Sequence, residues 1–327
     1  MKRMISGIKP TGKLTLGNYI GALKQFIKYQ DEYEMYIFLA DLHALTLPIE
    51  HDELLKNSED ILALYLACGL DPKKVVLFKQ SDVAEHSELG YIMTCFSNMG
   101  ELSRMTQYKD KTSSLKNDNI PTGIFIYPTL MAADILLYDA DYVPVGVDQK
   151  QHVELTRDLA IRFNNRYQKE IFKLPEPLMA KQGAKIYSLS NPSKKMSKSE
   201  SEKGTIYLLD DLKVTYKKIM SAVTDSSNEV YYDEVNKPGI SNLLVIYSEL
   251  SNQSVDEITK IYRHQGYGTF KKAVAECVVN TLKLLQEKVQ EIKNSGIIKE
   301  ILKQGQEKAK IVAREKVNEV YKIIGLR

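Results

Sequence analysis

Short apolar runs alternate with helical stripes through the first half of the chain, and the alternation stops in the second half. Residues 4–8 form an apolar run that ends in turn residues, which predicts a strand. From Gly17 onward, Ile20, Leu23, Phe26 and Ile27 fall on one stripe of a helix. Residues 35–40 read as a buried strand. Residues 54–68 read as a helix, with Leu54, Ile61, Leu62, Tyr65 and Leu66 at helical spacing, and 75–78 as a third strand. Residues 142–145 and 153–163 repeat the order of strand and helix. Strands separated by helices predict an α/β fold, a parallel sheet with helices on both faces.

Two polar stretches interrupt this rhythm. Residues 109–119 are rich in Lys, Ser, Asn and Asp and read as an exposed, mobile loop; residues 188–204, dense in Ser and Lys, read as a second. Beyond it the strand signal fades, and 208–223, 240–250, 255–262, 269–293 and 297–324 carry helical spacing. The expected organisation is an α/β domain over 1–193, a mobile lysine-rich loop over 194–204, and an all-helical domain over 205–327 whose last helix is free to pack back on the first domain. No internal repeat is visible.

Composition narrows the class. A chain of 327 residues can bury a substantial core without cross-links. Lys and Arg outnumber Asp and Glu by 45 to 42, a net +3, so any basic surface for an anionic partner has to be local. Cys68, Cys95 and Cys277 are scattered through apolar runs without a Cys-x-x-Cys pair, which argues against zinc and for small core residues in a reducing, cytoplasmic setting. No apolar stretch of membrane-spanning length or secretory type is present.

Two segments carry candidate chemistry. The run Pro10-Thr11-Gly12-Lys13-Leu14-Thr15-Leu16-Gly17-Asn18 places a Gly-rich turn between a strand and a helix. Such a turn is either plain structure or an anion site, where backbone N–H groups and the helix dipole face a phosphate. Gly12 and Gly17 would allow close approach of a nucleotide, and Thr15 and Asn18 would supply neutral donors. The second segment, Lys195-Met196-Ser197-Lys198-Ser199 with Lys194 before it, is either a solvated charge cluster or a clamp on a triphosphate.

Together these segments resemble the paired signatures of the class I aminoacyl-tRNA synthetases. The lysine segment matches in full; the first signature has Thr15 and Asn18 where histidines are usual, a form found in the tryptophanyl subgroup. Further stretches resemble that subgroup in the same order: Gly100-Glu101-Leu102-Ser103-Arg104-Met105-Thr106-Gln107, Met131-Ala132-Ala133-Asp134-Ile135-Leu136-Leu137-Tyr138, Val143-Pro144-Val145-Gly146-Val147-Asp148-Gln149 and Lys237-Pro238-Gly239-Ile240-Ser241-Asn242. The resemblance implies a Rossmann-like catalytic domain and a helical domain that reads the tRNA anticodon region. It implies activation of L-tryptophan by ATP and transfer to tRNA(Trp), with Mg²⁺ carried in on ATP, a homodimeric assembly, and neither zinc nor an organic cofactor.

Site roles follow from the residues and from that resemblance. Asp134 sits on an apolar helix face with Leu130, Met131, Leu137 and Tyr138, in a helix that Pro128 would open with Tyr127 just outside it. A carboxylate there is satisfied by a nearby backbone group or Arg, or it accepts from a buried ligand N–H. The resemblance implies the second, with the indole N–H as donor and Met131, Ile135, Val143 and Val145 walling the ring. It also assigns the amino acid's amine to Tyr127 and Gln149. ATP falls to Lys9, Pro10, Thr11, Thr15, Gly17, Asn18, Gly146, Val147, Asp148, Ile186 and the 195–199 segment. Lys195, Ser197 and Lys198 are the catalytic candidates, joined by Lys111 from the first polar stretch, where Lys109 and Lys111 are either solvated or within reach of the triphosphate. Gln149 and Asp148 compete as helix caps, and His43 and His152 read as structural hydrogen-bonding residues. Lys9 replaces a usual Gln and Val147 a usual Glu. The alternatives in view are a tyrosine-specific relative, a small-molecule adenylyltransferase and a non-enzymatic RNA-binding relative.

Overall fold

The computed structural model describes residues 1–112, 120–146, 149–179, 184–197 and 201–326. The chain begins with β1 (Arg3–Ile8) and a broken helical run: α1 (Leu16–Asn18), a π turn (Tyr19–Leu23) and α2 (Lys24–Lys28). β2 (Glu34–Leu39), α3 (Asp41–Ala44), α4 (His51–Ala67), β3 (Val75–Lys79), α5 (Glu85–Phe96), α6 (Met99–Ser103), α7 (Thr106–Thr112) and α8 (Thr122–Leu136) follow. Then come β4 (Tyr142–Val145), α9 (Lys150–Tyr167) and β5 (Glu176–Met179). After β5 the described residues form only helices as regular elements: α10 (Leu212–Met220), α11 (Pro238–Ser251), α12 (Val255–Tyr262), α13 (Gly266–Ser295) and α14 (Ile297–Ile324).

The five strands make one parallel sheet in the order β3-β2-β1-β4-β5. In β2, Met35 to Leu39 are all buried, the unbroken apolar run of a strand covered on both faces. The chain winds from β1 outward to β3, then crosses to β4 on the other side of β1. That reversal leaves a crevice at the carboxyl ends of β1 and β4. β1 and β2 pair along six positions from Arg3–Glu34 to Ile8–Leu39, whereas β1 meets β4 in register only at Met4–Tyr142. The two strands therefore part at the end where the crevice opens.

One apolar cluster on the sheet joins Phe38, Phe78 and Tyr138 to α5, α8 and α9; a second joins Met4, Ile37 and Leu39 to Leu62 of α4. α14 belongs to both. Its Ile301 and Leu302 pack in the second cluster, and Ala309, Ala313, Val317 and Val320 in the first. Between them Gly305 lies against the Leu77 backbone, so the helix crosses the outer edge of β3 and covers a strand edge that would otherwise be open to pairing. A third cluster joins Leu16 and Ile20 to Ile186, Met196 and the helices α10 to α13.

Several sequence expectations change. The stretch 109–119 is helical at its start, because α7 runs through Lys109 and Lys111 to Thr112; residues 113–119 lie outside the described residues. Pro128 does not open its helix. α8 begins at Thr122 and includes both Tyr127 and Pro128, the burial of α8 outweighing the backbone hydrogen bond that proline cannot make. The stretch 188–204 is not a wholly exposed loop, since Ser188, Leu189 and Met196 are buried. Helix α10 starts at Leu212, where Asp211 accepts from the backbone N–H of Lys213 and Val214; Leu208 instead donates its backbone N–H to Leu14. Cys95 is exposed rather than in the core, on the outer side of α5. β5, with mixed exposure over four residues, and α5 carry too little periodicity to be seen in sequence. Among the described residues no helix is long and apolar enough to cross a membrane.

The approach of α14 to β3 yields a test. A Cβ at Gly305 would overlap the Leu77 carbonyl, so Gly305→Ala should destabilise the protein by about 3 kcal/mol. Gly268 in α13 has open space, and Gly268→Ala should be neutral or stabilising by up to ~1 kcal/mol. Urea midpoints of the two variants measure the difference; equal effects would contradict the edge contact.

Candidate active site

The crevice between β1 and β4 holds a cavity of about 340 Å³. β1 and the residue beyond it contribute Ile5, Ser6, Gly7 and Lys9; β2 and α3 contribute Phe38, Ala40 and His43; α8 contributes Tyr127, Met131, Asp134 and Ile135; β4 and the turn after it contribute Val143, Val145, Gly146 and Gln149. Gly7 is needed beneath the Phe38 ring, where a Cβ would come within 2.7 Å of it. Most of the wall is apolar, with polar groups concentrated at Asp134 and at the mouth, the pattern of a small-molecule site.

Asp134 is 1% exposed and sits among three donors. Gln80 Nε2 donates to Oδ1 at 2.7 Å, His86 Nδ1 lies 2.6 Å from the same oxygen, and His43 Nε2 lies 2.8 Å from Oδ2. Burial alone would raise the carboxyl's pKa, but the hydrogen bonds and charges of His43 and His86 outweigh it and bring it down to about 2. An ionised carboxylate has no proton to give, so both imidazole nitrogens facing it carry their hydrogens. His86 is completed on its other side by the Tyr138 hydroxyl at 2.9 Å. Burial and the neighbouring carboxylates push the Tyr138 hydroxyl well above its ordinary pKa.

Around the mouth, the Tyr127 hydroxyl bonds His152 Nε2 at 2.8 Å inside the protein, and burial pushes its pKa up to about 12. Lys111 lies 4.3 Å from the centroid of the Tyr127 ring. It is half-buried and lines the cavity, and burial lowers its pKa, whereas Lys109 is exposed. Gln149 stands at the N-terminus of α9 without capping it through its side chain. Of the sequence candidates the cavity thus gathers Lys9, Lys111, Tyr127, Met131, Asp134, Ile135, Val143, Val145, Gly146 and Gln149.

The Gly-rich turn and the lysine segment meet each other beyond the cavity. Gly12 turns with a φ of 68°, and Thr11 donates its backbone N–H to Lys9. Thr15 caps α1. Its hydroxyl donates to Asn18 Oδ1 at 3.0 Å and accepts from the Asn18 backbone N–H at 3.1 Å, so its proton is already committed within the turn. At Gly17, where close approach of a nucleotide is expected, the Met196 carbonyl lies 3.2 Å from where a Cβ would be. Ile186 and Met196 are each 1% exposed, and the Met196 N–H donates to the Ile186 carbonyl. They anchor the lysine segment in the third apolar cluster. Lys194 and Lys195 are exposed beside this anchor, Ser197 is half-buried, and Pro10 is buried. Val147, Asp148, Lys198 and Ser199 lie outside the described residues.

Gln80 and His86 are not singled out by sequence, Tyr138 is read only as an apolar-face neighbour of Asp134, and His43 is read as structural, which its bond to Asp134 matches while its place in the cavity wall goes further. The available signal was positional: His43 and Gln80 follow the carboxyl ends of β2 and β3, where ligand-facing groups of such sheets collect.

Residues 1–283 match the family described as tRNA synthetases class I (W and Y). The chain is 50% identical over 327 residues to the tryptophan–tRNA ligase of Caldanaerobacter subterraneus, covering 100% of this chain and 99% of that protein. It is 52% identical over 330 residues to that of Malacoplasma penetrans, covering 100% and 98%. Among solved structures it is similar to the tryptophanyl-tRNA synthetase of Campylobacter jejuni complexed with ADP and tryptophan, with a TM-score of 0.88 at 39% identity, covering 99% of this chain and 100% of that one. The tyrosyl-tRNA synthetase of Aeropyrum pernix shares the fold at a TM-score of 0.65 and 18% identity.

The environment of Asp134 makes stability depend on pH with a definite sign. Its folded pKa, about 2, lies below the ordinary carboxylate value of about 3.9, so its charge stabilises the fold above that ordinary value and the contribution is lost as pH falls toward the folded one. The parent should exceed Asp134→Asn by on the order of 2 kcal/mol near neutral pH, and the gap should narrow below about pH 4. Urea midpoints across that range check it; a gap independent of pH would remove the ionised carboxylate from the account.

Proposed function

The chain belongs to the class I tRNA synthetases of the W and Y group, and we propose from this that it is a tryptophan–tRNA ligase whose ring pocket is the cavity at Asp134. Near-complete coverage of tryptophan–tRNA ligases at about half identity carries the reading of the activity. The buried, ionised Asp134 at the end of an apolar slot supports the choice of substrate: indole offers one N–H donor and otherwise apolar surface. Met131, Ile135, Val143 and Val145 flank the ring in this reading, and Tyr127 and Gln149 take the α-amine at the mouth. Tyr127 can do so while bonded to His152, because a hydroxyl that donates to an imidazole keeps its lone pairs.

In the first step the tryptophan carboxylate attacks the α-phosphorus of ATP, the bond to the β-phosphate oxygen breaks, and pyrophosphate leaves. The nucleophile is already ionised, so no general base is required, and the protein's task is alignment and charge neutralisation. ATP lies along the turn from Lys9 to Asn18 and beside Gly146, with Val147 and Asp148 next in the chain. Asn18 contributes its side-chain amide, since the Thr15 hydroxyl proton is committed to Asn18 Oδ1. Lys195 and Ser197, with Lys198 next in the chain, act on the charge of the departing phosphates, and Lys111 reaches in from α7. Mg²⁺ arrives on the triphosphate and adds positive charge there; among the described residues no three His, Cys, Asp or Glu side chains cluster to hold a metal. In the second step a hydroxyl of the terminal ribose of tRNA(Trp) attacks the adenylate carbonyl and AMP leaves. The domains divide accordingly: residues 1–193 activate, 194–204 close on ATP, and the helices from 205 onward meet the anticodon region. The resemblance to the family carries the expectation of a homodimer, for which Tyr91 and Met99, 73% and 74% exposed on α5 and α6, are candidate interface residues. The setting is cytoplasmic translation.

Amino-acid-dependent exchange of pyrophosphate into ATP tests the reading. Tryptophan should support exchange and tyrosine should not; the reverse would assign the chain to the tyrosine-specific branch. Lys195→Ala should slow exchange by roughly 100-fold with little change in KM for tryptophan, as for a group that acts on charge developing in the transition state. A rate unchanged in that variant would remove Lys195 from the phosphate site.

A further inference from the structure

Resting on the reading of Asp134 as the indole acceptor, we infer that His86 and Gln80 are positioning residues for substrate choice: they occupy one oxygen of Asp134 so that the carboxylate offers the cavity a single vacant acceptor position. Each oxygen of an ionised carboxylate accepts about two hydrogen bonds. Oδ1 already receives two, from Gln80 Nε2 and His86 Nδ1. Oδ2 receives one among the described residues, from His43. His43 lines the cavity, while Gln80 and His86 are fully buried and do not. Oδ1 is therefore the inward oxygen, filled from behind, and Oδ2 the one with room for one more N–H.

This arrangement selects by donor count. A ring with one N–H and no acceptor completes Oδ2 and leaves nothing unpaired. A phenol can donate to Oδ2 as well, but its own lone pairs then face a cluster whose three N–H groups are already committed to Asp134. An aromatic ring without a donor leaves the buried oxygen one bond short.

The rest of the molecule fixes His86 in this role. The Tyr138 hydroxyl holds its far nitrogen, and Phe38, Phe78 and Tyr138 surround its ring. It stands in the first turn of α5 beside Glu85 and Glu88, both paired with Arg314 of α14 at 2.6 and 3.1 Å. The amide of Gln80 is oriented by the same logic, since only its NH₂ can face a carboxylate.

The test measures kcat/KM in pyrophosphate exchange with tryptophan and with its benzothiophene analogue, in which sulfur replaces the indole N–H and ring shape is kept. The wild-type protein should prefer tryptophan strongly; absence of that preference would overturn the reading of Asp134 itself, whatever the variants do. His86→Phe keeps an aromatic ring but removes the donor to Oδ1, and Gln80→Leu removes the other. Each should reduce the preference for tryptophan by at least about tenfold, mainly through KM for tryptophan, because the freed Oδ1 no longer holds the carboxylate in register. His86→Asn, whose amide can reach the place of Nδ1, should restore much of the preference. A purely structural role would lower both substrates by the same factor, and a preference unchanged in His86→Phe and Gln80→Leu would overturn the inference. If His86→Phe does not fold, Tyr138→Phe and His86→Asn carry the same comparison: a reduced preference in the first with retention in the second supports the inference, and any other pair of results overturns it.

Discussion

A carboxylate withdrawn almost entirely from water needs donors on every side, and Asp134 imposes that need on three other stretches of chain. His43 comes from α3 after β2, Gln80 from the turn after β3, and His86 from the first turn of α5, while Asp134 stands on α8. None of these groups is satisfied unless the sheet, α5 and α8 are all in place. The charge cluster therefore ties the ends of two strands to two helices at the floor of the crevice. Its free side is the one that faces the cavity, so the group that organises the fold locally is also the group that meets the ligand.

The crevice is a consequence of strand order. β1 has β2 on one side and β4 on the other, and the helices that return the chain lie on opposite faces, so nothing fills the space where β1 and β4 separate. At its rim the turn after β1 continues into α1 and packs against the lysine segment through the Gly17–Met196 contact. Met196 and Ile186 share an apolar cluster with Leu16, Ile20 and helices of the C-terminal half. A movement of those helices would thus reach the exposed Lys194 and Lys195 through packed side chains. α14 makes a second link, running over the edge of β3 and holding Glu85 and Glu88 of α5 with Arg314.

Much of this was legible in the chain. Parallel strands and their covering helices announce themselves by apolar spacing, because neighbours on a helix face or strand are near in sequence. β1, β2, β3 and β4 and the long C-terminal helices were readable this way, as was the match of the lysine segment to a known signature. Asp134 stood out because a carboxylate on an apolar helix face has to be explained. Boundaries set by burial were less legible: Pro128 inside α8, the helical turn through Lys111, and the buried core of the 188–204 stretch each depend on partners distant in sequence.

What sequence alone determined, then, is the class of fold, the two motifs and the unusual carboxylate, all properties of residues within a few positions of one another. Tertiary structure decided which polar groups converge on that carboxylate and which of its oxygens is left open. It decided that Gly17 serves the approach of Met196, that the Thr15 hydroxyl caps its own helix, and that Gly305 lets α14 close the sheet edge. The reason is the same in each case: a hydrogen bond or a steric contact is made between atoms a few ångströms apart in space, and the spacing of residues along the chain does not specify which distant elements supply them.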